Sequence, residues 1–164
     1  MNKWLLPILF VCSIVVGCGK GNSAELDVKA QAKIDDKVIT DYIAAHSLTT
    51  AKKANDTTGV YYIVLQPGEQ NDLFTSSTQV TVGDTARVLS TGAVFAQTND
   101  FHPSYTLGQV MIGWQLGIPK IGKGGRVRLL VPSRDGFGQY PQTQLGLPAH
   151  AVLDFDIVLY DITN

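Results

Sequence analysis

The stretch Gly117-Ile118-Pro119-Lys120-Ile121-Gly122-Lys123-Gly124 lies one residue away from a phosphate-binding loop, in which backbone N–H groups cradle a nucleotide and a hydroxyl after the lysine ligates magnesium. Gly124 stands where that hydroxyl is needed, and Pro119 interrupts the loop. The order is also wrong, because a helical pattern precedes the stretch and a strand pattern follows it. Its glycines therefore read as the turn into a strand. His46, His102 and His150 are not spaced as metal ligands, and no cysteine lies near them in sequence. No serine sits in a G-x-S-x-G elbow. No cofactor and no metal are expected. Without nucleophile, base or metal, catalysis has to come from binding, which directs attention to Phe95, Tyr105, Trp114, Phe137, Phe155 and the pair Leu147-Pro148. Each of these taken singly fits a core better than a cleft, since large aromatics dominate interiors.

The elements that would position this set follow from hydrophobic period. Residues 60–65 are β-branched and aromatic and stop at Gln66-Pro67-Gly68, a turn signal. Further strands are expected at 79–82, 86–89, 126–131 and 152–160. The last alternates cleanly, with Leu153, Phe155, Ile157 and Leu159 on one face and Asp154 and Asp156 on the other. Val110, Met111, Trp114 and Ile118 fall at helical spacing between Gly108 and Gly117-Pro119, which predicts one short helix. Antiparallel strands with a single central helix make an α+β half-barrel wrapped on that helix.

Upstream, Ile34, Val38, Tyr42, Ile39 and Ile43 predict an amphipathic helix over 30–46, which must dock on the domain or on a second copy of the chain, giving a homodimer. Residues 19–30 read as a tether and 47–58 as a polar linker. Residues 1–17 are Met1-Asn2-Lys3, an apolar run and Gly17, an export signal too short for a comfortable span of roughly 20 residues. Val15-Val16-Gly17-Cys18 resembles a bacterial lipobox; the other reading is an ordinary signal peptide with an incidental cysteine. Neither cysteine, Cys12 or Cys18, lies beyond residue 18, so the domain holds no internal disulfide. The expected organisation is a signal peptide at 1–17, tether and helix at 18–57, and one domain at 58–164. A net charge of -1 with mixed signs and no basic aromatic patch argues against a nucleic-acid partner.

Read together, residues from about 58 to 162 resemble the FKBP family of peptidyl-prolyl isomerases. Y-T-L-G-Q-V-M-I-G-W-Q-L-G-I at 105–118 is similar to the family's aromatic-x-L-G-x-V-I-x-G-W-x-x-G-L segment, followed in order by G-G-R-V-R-L-L-V-P-S, F-G at Phe137-Gly138, and L-P-A-H-A-V-L-D-F-D-I-V-L. The resemblance implies an FKBP-like twisted antiparallel half-barrel with Trp114 as the floor of a proline pocket. Phe95, Val110, Met111, Leu147 and Phe155 would wall it, with Tyr105 beside them, and the Met111 N–H would hold a substrate carbonyl. Three departures stand out. Phe137 replaces a tyrosine that binds a second carbonyl, Ala96 replaces an aspartate beside the cleft, and Gly83-Asp84-Thr85-Ala86 lacks the family's strand tyrosine. The implied activity is a peptidyl-prolyl isomerase of weakened rate acting on proline-containing exported polypeptides; the alternative is a non-catalytic chaperone or partner-binding module. With Cys18 acylated, the resemblance to bacterial lipoproteins implies a membrane anchor on the periplasmic face of the outer membrane.

Overall fold

The computed structural model describes residues 20–69 and 73–164, with side chains from Glu25 onward; the expected signal peptide and Cys18 lie outside these residues. Seven antiparallel strands form one sheet: β1 (Lys52–Lys53), β2 (Tyr61–Gln66), β3 (Gln79–Val88), β4 (Val94–Gln97), β5 (Ser104–Thr106), β6 (Arg126–Val131) and β7 (Leu153–Thr163). The order is β1-β2-β6-β7-β3-β4, with β5 also paired to β3. Among the described residues two α-helices flank it, α1 (Lys20–Ala45) and the short α2 (Ile112–Gly117).

The alternation of β7 and β6 sets the two faces. Leu153, Phe155, Ile157 and Leu159, with Val127, Leu129 and Val131 of β6, are buried on the concave side together with Trp114 and Ile118. α2 lies flush against β6 because two of its residues have no side chain. A Cβ on Gly113 would come within 2.6 Å of Val131, and one on Gly117 would collide with Leu129. That close approach drives Trp114, between the two glycines, into the core.

The convex face is only partly wet, because α1 covers it. Ile39 is fully buried against Leu89, Leu130 and Val152, with Val38, Tyr42 and Ile43 packed around them. Arg128 forks onto Asp154 at 2.8 and 2.9 Å and donates to the Tyr42 hydroxyl at 2.8 Å. Buried Asp35 accepts from the Ser133 N–H (2.9 Å) and hydroxyl (2.6 Å), and from Gln31 at 2.7 Å.

Several expectations are corrected. The stretch read as a tether is helical from Lys20, where Ala, Glu, Lys and Gln favour a helix and Glu25 pairs with Lys29 one turn on, at 2.6 Å. Ile34 faces solvent, so the docked stripe runs through Asp35, Ile39 and Tyr42. The linker contains β1, which an Asn55 turn folds back onto Tyr61 and Tyr62; the Asn55 side chain accepts the Thr57 and Thr58 N–H groups at 3.1 and 2.8 Å. The strands read at 79–82 and 86–89 are one, because Gly83 continues the ladder under the stacked rings of His102 and Tyr160. β4 and β5 are too short for period-2 alternation to reveal, and β7 runs on to Thr163.

A candidate proline-binding cleft around Trp114

Five rings meet edge to face in an unbroken chain. Tyr105 to Trp114 measures 5.7 Å between centroids, Trp114 to Phe155 5.6 Å, Phe155 to Phe95 6.2 Å and Phe95 to Phe137 6.3 Å, with interplanar angles of 75° to 87°. Such T-shaped pairs are favoured by the ring quadrupole and fix each ring against its neighbour. The rings arrive from separate elements: β5, α2, β7, β4 and the loop after β6. Val110 and Met111 pack against the same cluster from the entry to α2, and Leu147 from the last loop. The side chains that the resemblance assigned to a pocket thus lie in or against the core cluster that contains Trp114.

Exposure divides this set into a floor and a rim. Trp114 retains 7 % of its surface, and Phe155 and Leu147 2 % each; Phe95, Val110, Met111 and Phe137 are half-buried, and Tyr105 is 38 % exposed. The Trp114 indole N–H is buried without a partner among the described residues, so the ring is held by packing alone. A groove of about 770 Å3 lies elsewhere, between α1 and the segments around Ser133, Gly138 and His150; it is no part of this bowl.

One polar element is the peptide unit at the entry to α2. Met111 opens α2, and its carbonyl accepts the N–H groups of Trp114 (3.0 Å) and Gln115 (3.2 Å). The Gln115 side chain turns back to donate to the Val110 carbonyl at 2.7 Å. In a trans peptide the N–H points opposite to the preceding carbonyl. Fixing the Val110 oxygen therefore aims the Met111 N–H the other way, and that N–H donates to no group among the described residues. Gln115 was missed in the sequence, where nothing in its spacing sets it apart; the signal is a donor one turn after a helix-opening carbonyl.

Asp84 was also passed over. The register pairs Val82 with Leu159, Asp84 with Ile157 and Ala86 with Phe155, which puts Asp84 on the concave face. Burial raises its carboxyl above the ordinary 3.8, and burial together with the Asp84 charge raises the Tyr105 hydroxyl above 10.0. The 117–124 stretch is the turn into β6: the N–H groups of Gly122, Gly124 and Gly125 go to the carbonyls of Pro67, Leu159 and Gly122.

The fold is an antiparallel sheet packed on one short helix, with a cluster of aromatic rings around Trp114 and, beside it, a Met111 N–H without a partner among the described residues. The family model described as FKBP-type peptidyl-prolyl cis-trans isomerase matches residues 71–160. The chain belongs to that family. An FKBP-type peptidyl-prolyl cis-trans isomerase FkpA of Buchnera aphidicola subsp. Schizaphis graminum is 31 % identical over 114 residues, 65 % of this chain and 42 % of that protein. FK506-binding protein 1 of Debaryomyces hansenii is 31 % identical over 103 residues, 60 % of this chain and 90 % of its own length. Among solved structures, a peptidyl-prolyl cis-trans isomerase of Pseudomonas syringae pv. tomato superposes with a TM-score of 0.69 at 22 % identity, covering 83 % of this chain and 96 % of that one. FkpA from Escherichia coli gives 0.66 at 25 % identity, covering 85 % and 64 %. The chain thus spans less than half of the Buchnera relative and about two thirds of the Escherichia coli one.

Proposed function

We propose that this chain catalyses cis–trans rotation about X-Pro bonds of exported polypeptides, with the prolyl ring seated over Trp114. The observation that carries this is the aromatic bowl ending at an unpaired Met111 N–H. Rotation faces a barrier of about 20 kcal/mol and takes tens to hundreds of seconds unaided. In the twisted amide resonance is broken and the dipole falls, so it needs less hydration than the planar ground state. A dry, aromatic wall favours it over that ground state. The Met111 N–H holds a carbonyl of the substrate chain while the bond turns, and no proton moves.

The rim is poorer than the floor. Phe137 has no hydroxyl and Ala96 no carboxylate; a missing neutral hydrogen bond weakens binding by roughly 0.5–1.5 kcal/mol and one to a charged group by roughly 1.5–3 kcal/mol. These replacements favour a second reading, a chaperone or docking module on the same fold. A protease-coupled assay on Leu-Pro and Phe-Pro peptides separates the two, with Trp114→Ala as the control. Turnover well above the control supports the enzyme; equal rates together with client binding that ignores prolines support the module.

Export and acylation at Cys18, with an anchor on the periplasmic face of the outer membrane, extend the proposal. Mass spectrometry of the mature protein, reading a diacylglyceryl cysteine at its N-terminus, tests it. Exposed Leu26, Val28 and Ile34 on α1 support pairing of two copies through that helix, which the mass in solution tests.

A further inference from the structure

The family's aspartate beside the cleft is missing at position 96, yet a carboxylate stands one diagonal step away. Ala96 of β4 pairs with Ala86 of β3, and Asp84 lies two residues along β3 from that pair, on the same face. Diagonal neighbours in an antiparallel pair have Cα atoms about 7–8 Å apart, within reach of one substrate side chain. The Asp84 backbone is held firmly: its N–H donates to the Thr98 hydroxyl at 2.8 Å, and its carbonyl accepts the Thr98 N–H at 3.1 Å. Its carboxylate is not held. The aspartates of β7 each have a basic partner, Asp154 with Arg128 at 2.8 Å, Asp156 with Arg126 at 2.7 Å and Asp161 with Lys123 at 2.6 Å. The half-buried Asp84 side chain has no hydrogen bond and no ion pair among the described residues.

Its surroundings make this costly. Val82 and Ala86 flank it on β3, Ile157 lies across on β7, and Tyr105 of β5 approaches from the Trp114 side; no lysine, arginine or histidine is paired with it from any of these strands. Burying part of a carboxylate without a donor destabilises the free protein. A ligand that brings the donor recovers that loss. Burial has already raised the Asp84 carboxyl, which agrees with a partner absent from the chain itself.

We infer that Asp84 is the specificity residue of the cleft, its carboxylate receiving a lysine or arginine side chain that neighbours the proline in the substrate. This rests on the isomerase reading above and adds a substrate class to it, polypeptides with a basic residue next to proline. A neutral cleft would rank residues by apolar size alone; with Asp84 in place, a cation outranks an apolar chain of equal length.

The experiment compares peptide pairs that differ by lysine against norleucine, placed just before or just after the proline, on the full-length protein and on Asp84→Asn. In the wild type kcat/KM for lysine exceeds that for norleucine by about threefold or more at one of the two positions, the size expected of a partly screened ion pair. Asp84→Asn brings that ratio to unity, and added salt lowers it in the wild type only. An identical ratio in wild type and Asp84→Asn at both positions overturns the inference and leaves the isomerase reading standing. Absence of turnover on every peptide overturns the isomerase reading instead. The same pairs then decide on Asp84 by fluorescence polarisation: tighter binding of lysine that Asp84→Asn abolishes supports it, and equal binding refutes it.

Discussion

Replacing Gln115 tests whether the Met111 N–H does its work because it is aimed. The side-chain amide of Gln115 donates to the Val110 carbonyl at 2.7 Å, and that carbonyl shares a rigid peptide plane with the Met111 N–H. Gln115→Leu keeps an uncharged side chain of comparable bulk and removes the donor. One neutral hydrogen bond is worth about 0.5–1.5 kcal/mol, so kcat/KM should fall about two- to tenfold if the aim of that plane is what the bond supplies. Gln115→Glu is the sharper probe. At neutral pH it sets a carboxylate against the Val110 carbonyl, turning attraction into repulsion, and the loss should exceed that of the leucine variant. Once the pH drops below the ordinary glutamate value of about 4.3, the protonated acid donates again and the rate recovers relative to wild type. A merely structural role predicts no such recovery. NMR exchange between the cis and trans lines of a Leu-Pro peptide measures the rate without a protease, and thermal unfolding checks that each variant is folded. A leucine variant within twofold of wild type, or a glutamate variant whose relative rate is flat with pH, would refute the reasoning.

Asp35→Ala should cost about 3 kcal/mol, because it removes a buried charged acceptor and orphans the Ser133 N–H; thermal unfolding should show a drop of roughly 10 °C, and a loss below about 1 kcal/mol contradicts the clamp. Phe137→Tyr restores a hydroxyl to the half-buried rim ring and should raise kcat/KM on a Leu-Pro peptide about two- to tenfold; no change in KM or kcat means the ring does not face substrate. Burial raises the Asp84 carboxyl, so in the pH range just above 3.8 the folded state binds more protons than the unfolded one and stability falls as pH rises. Asp84→Asn should therefore be the more stable protein at pH 7, with its advantage shrinking as the pH is lowered through that range. Urea unfolding at pH 7 and pH 4 reads the difference, and a variant less stable at pH 7 reverses the sign.

What the sequence reveals is governed by how local each determinant is. Leu153, Phe155, Ile157 and Leu159 announce β7 because four alternations in a row survive any neighbour, and Arg126–Val131 reads equally well. β4 and β5 do not announce themselves: their pairing to β3 is long-range, and three or four residues carry no period. Glycine weakens a strand, yet Gly83 sits inside β3, where the stacked His102 and Tyr160 rings leave no room for a side chain. The aromatic cluster around Trp114 was legible through the resemblance, since its residue types are what the pattern holds. Asp84 and Gln115 were not. One depends on register across β3 and β7, the other on a side chain turning back onto its own helix entrance, and neither leaves a mark in composition or spacing.

The two faces of the sheet bear on one another through the strands they share. β6 carries Val127, Leu129 and Val131 toward the cleft core and Arg128 and Leu130 toward α1, so a slip of one residue would exchange the site and the docking surface together. The link is closest where β6 ends. Asp35 of α1 grips Ser133, whose carbonyl accepts the Gly138 N–H at 2.7 Å, and Phe137 stands between these two anchors with its ring against Phe95. Through Ser133, α1 is thus linked to the segment that carries Phe137. A fragment that begins near residue 58 keeps every ring of the cleft yet loses Asp35, the acceptor that fixes Ser133. Such a fragment reports on the bowl alone, and a fall in its rate relative to the full chain measures that link rather than the chemistry.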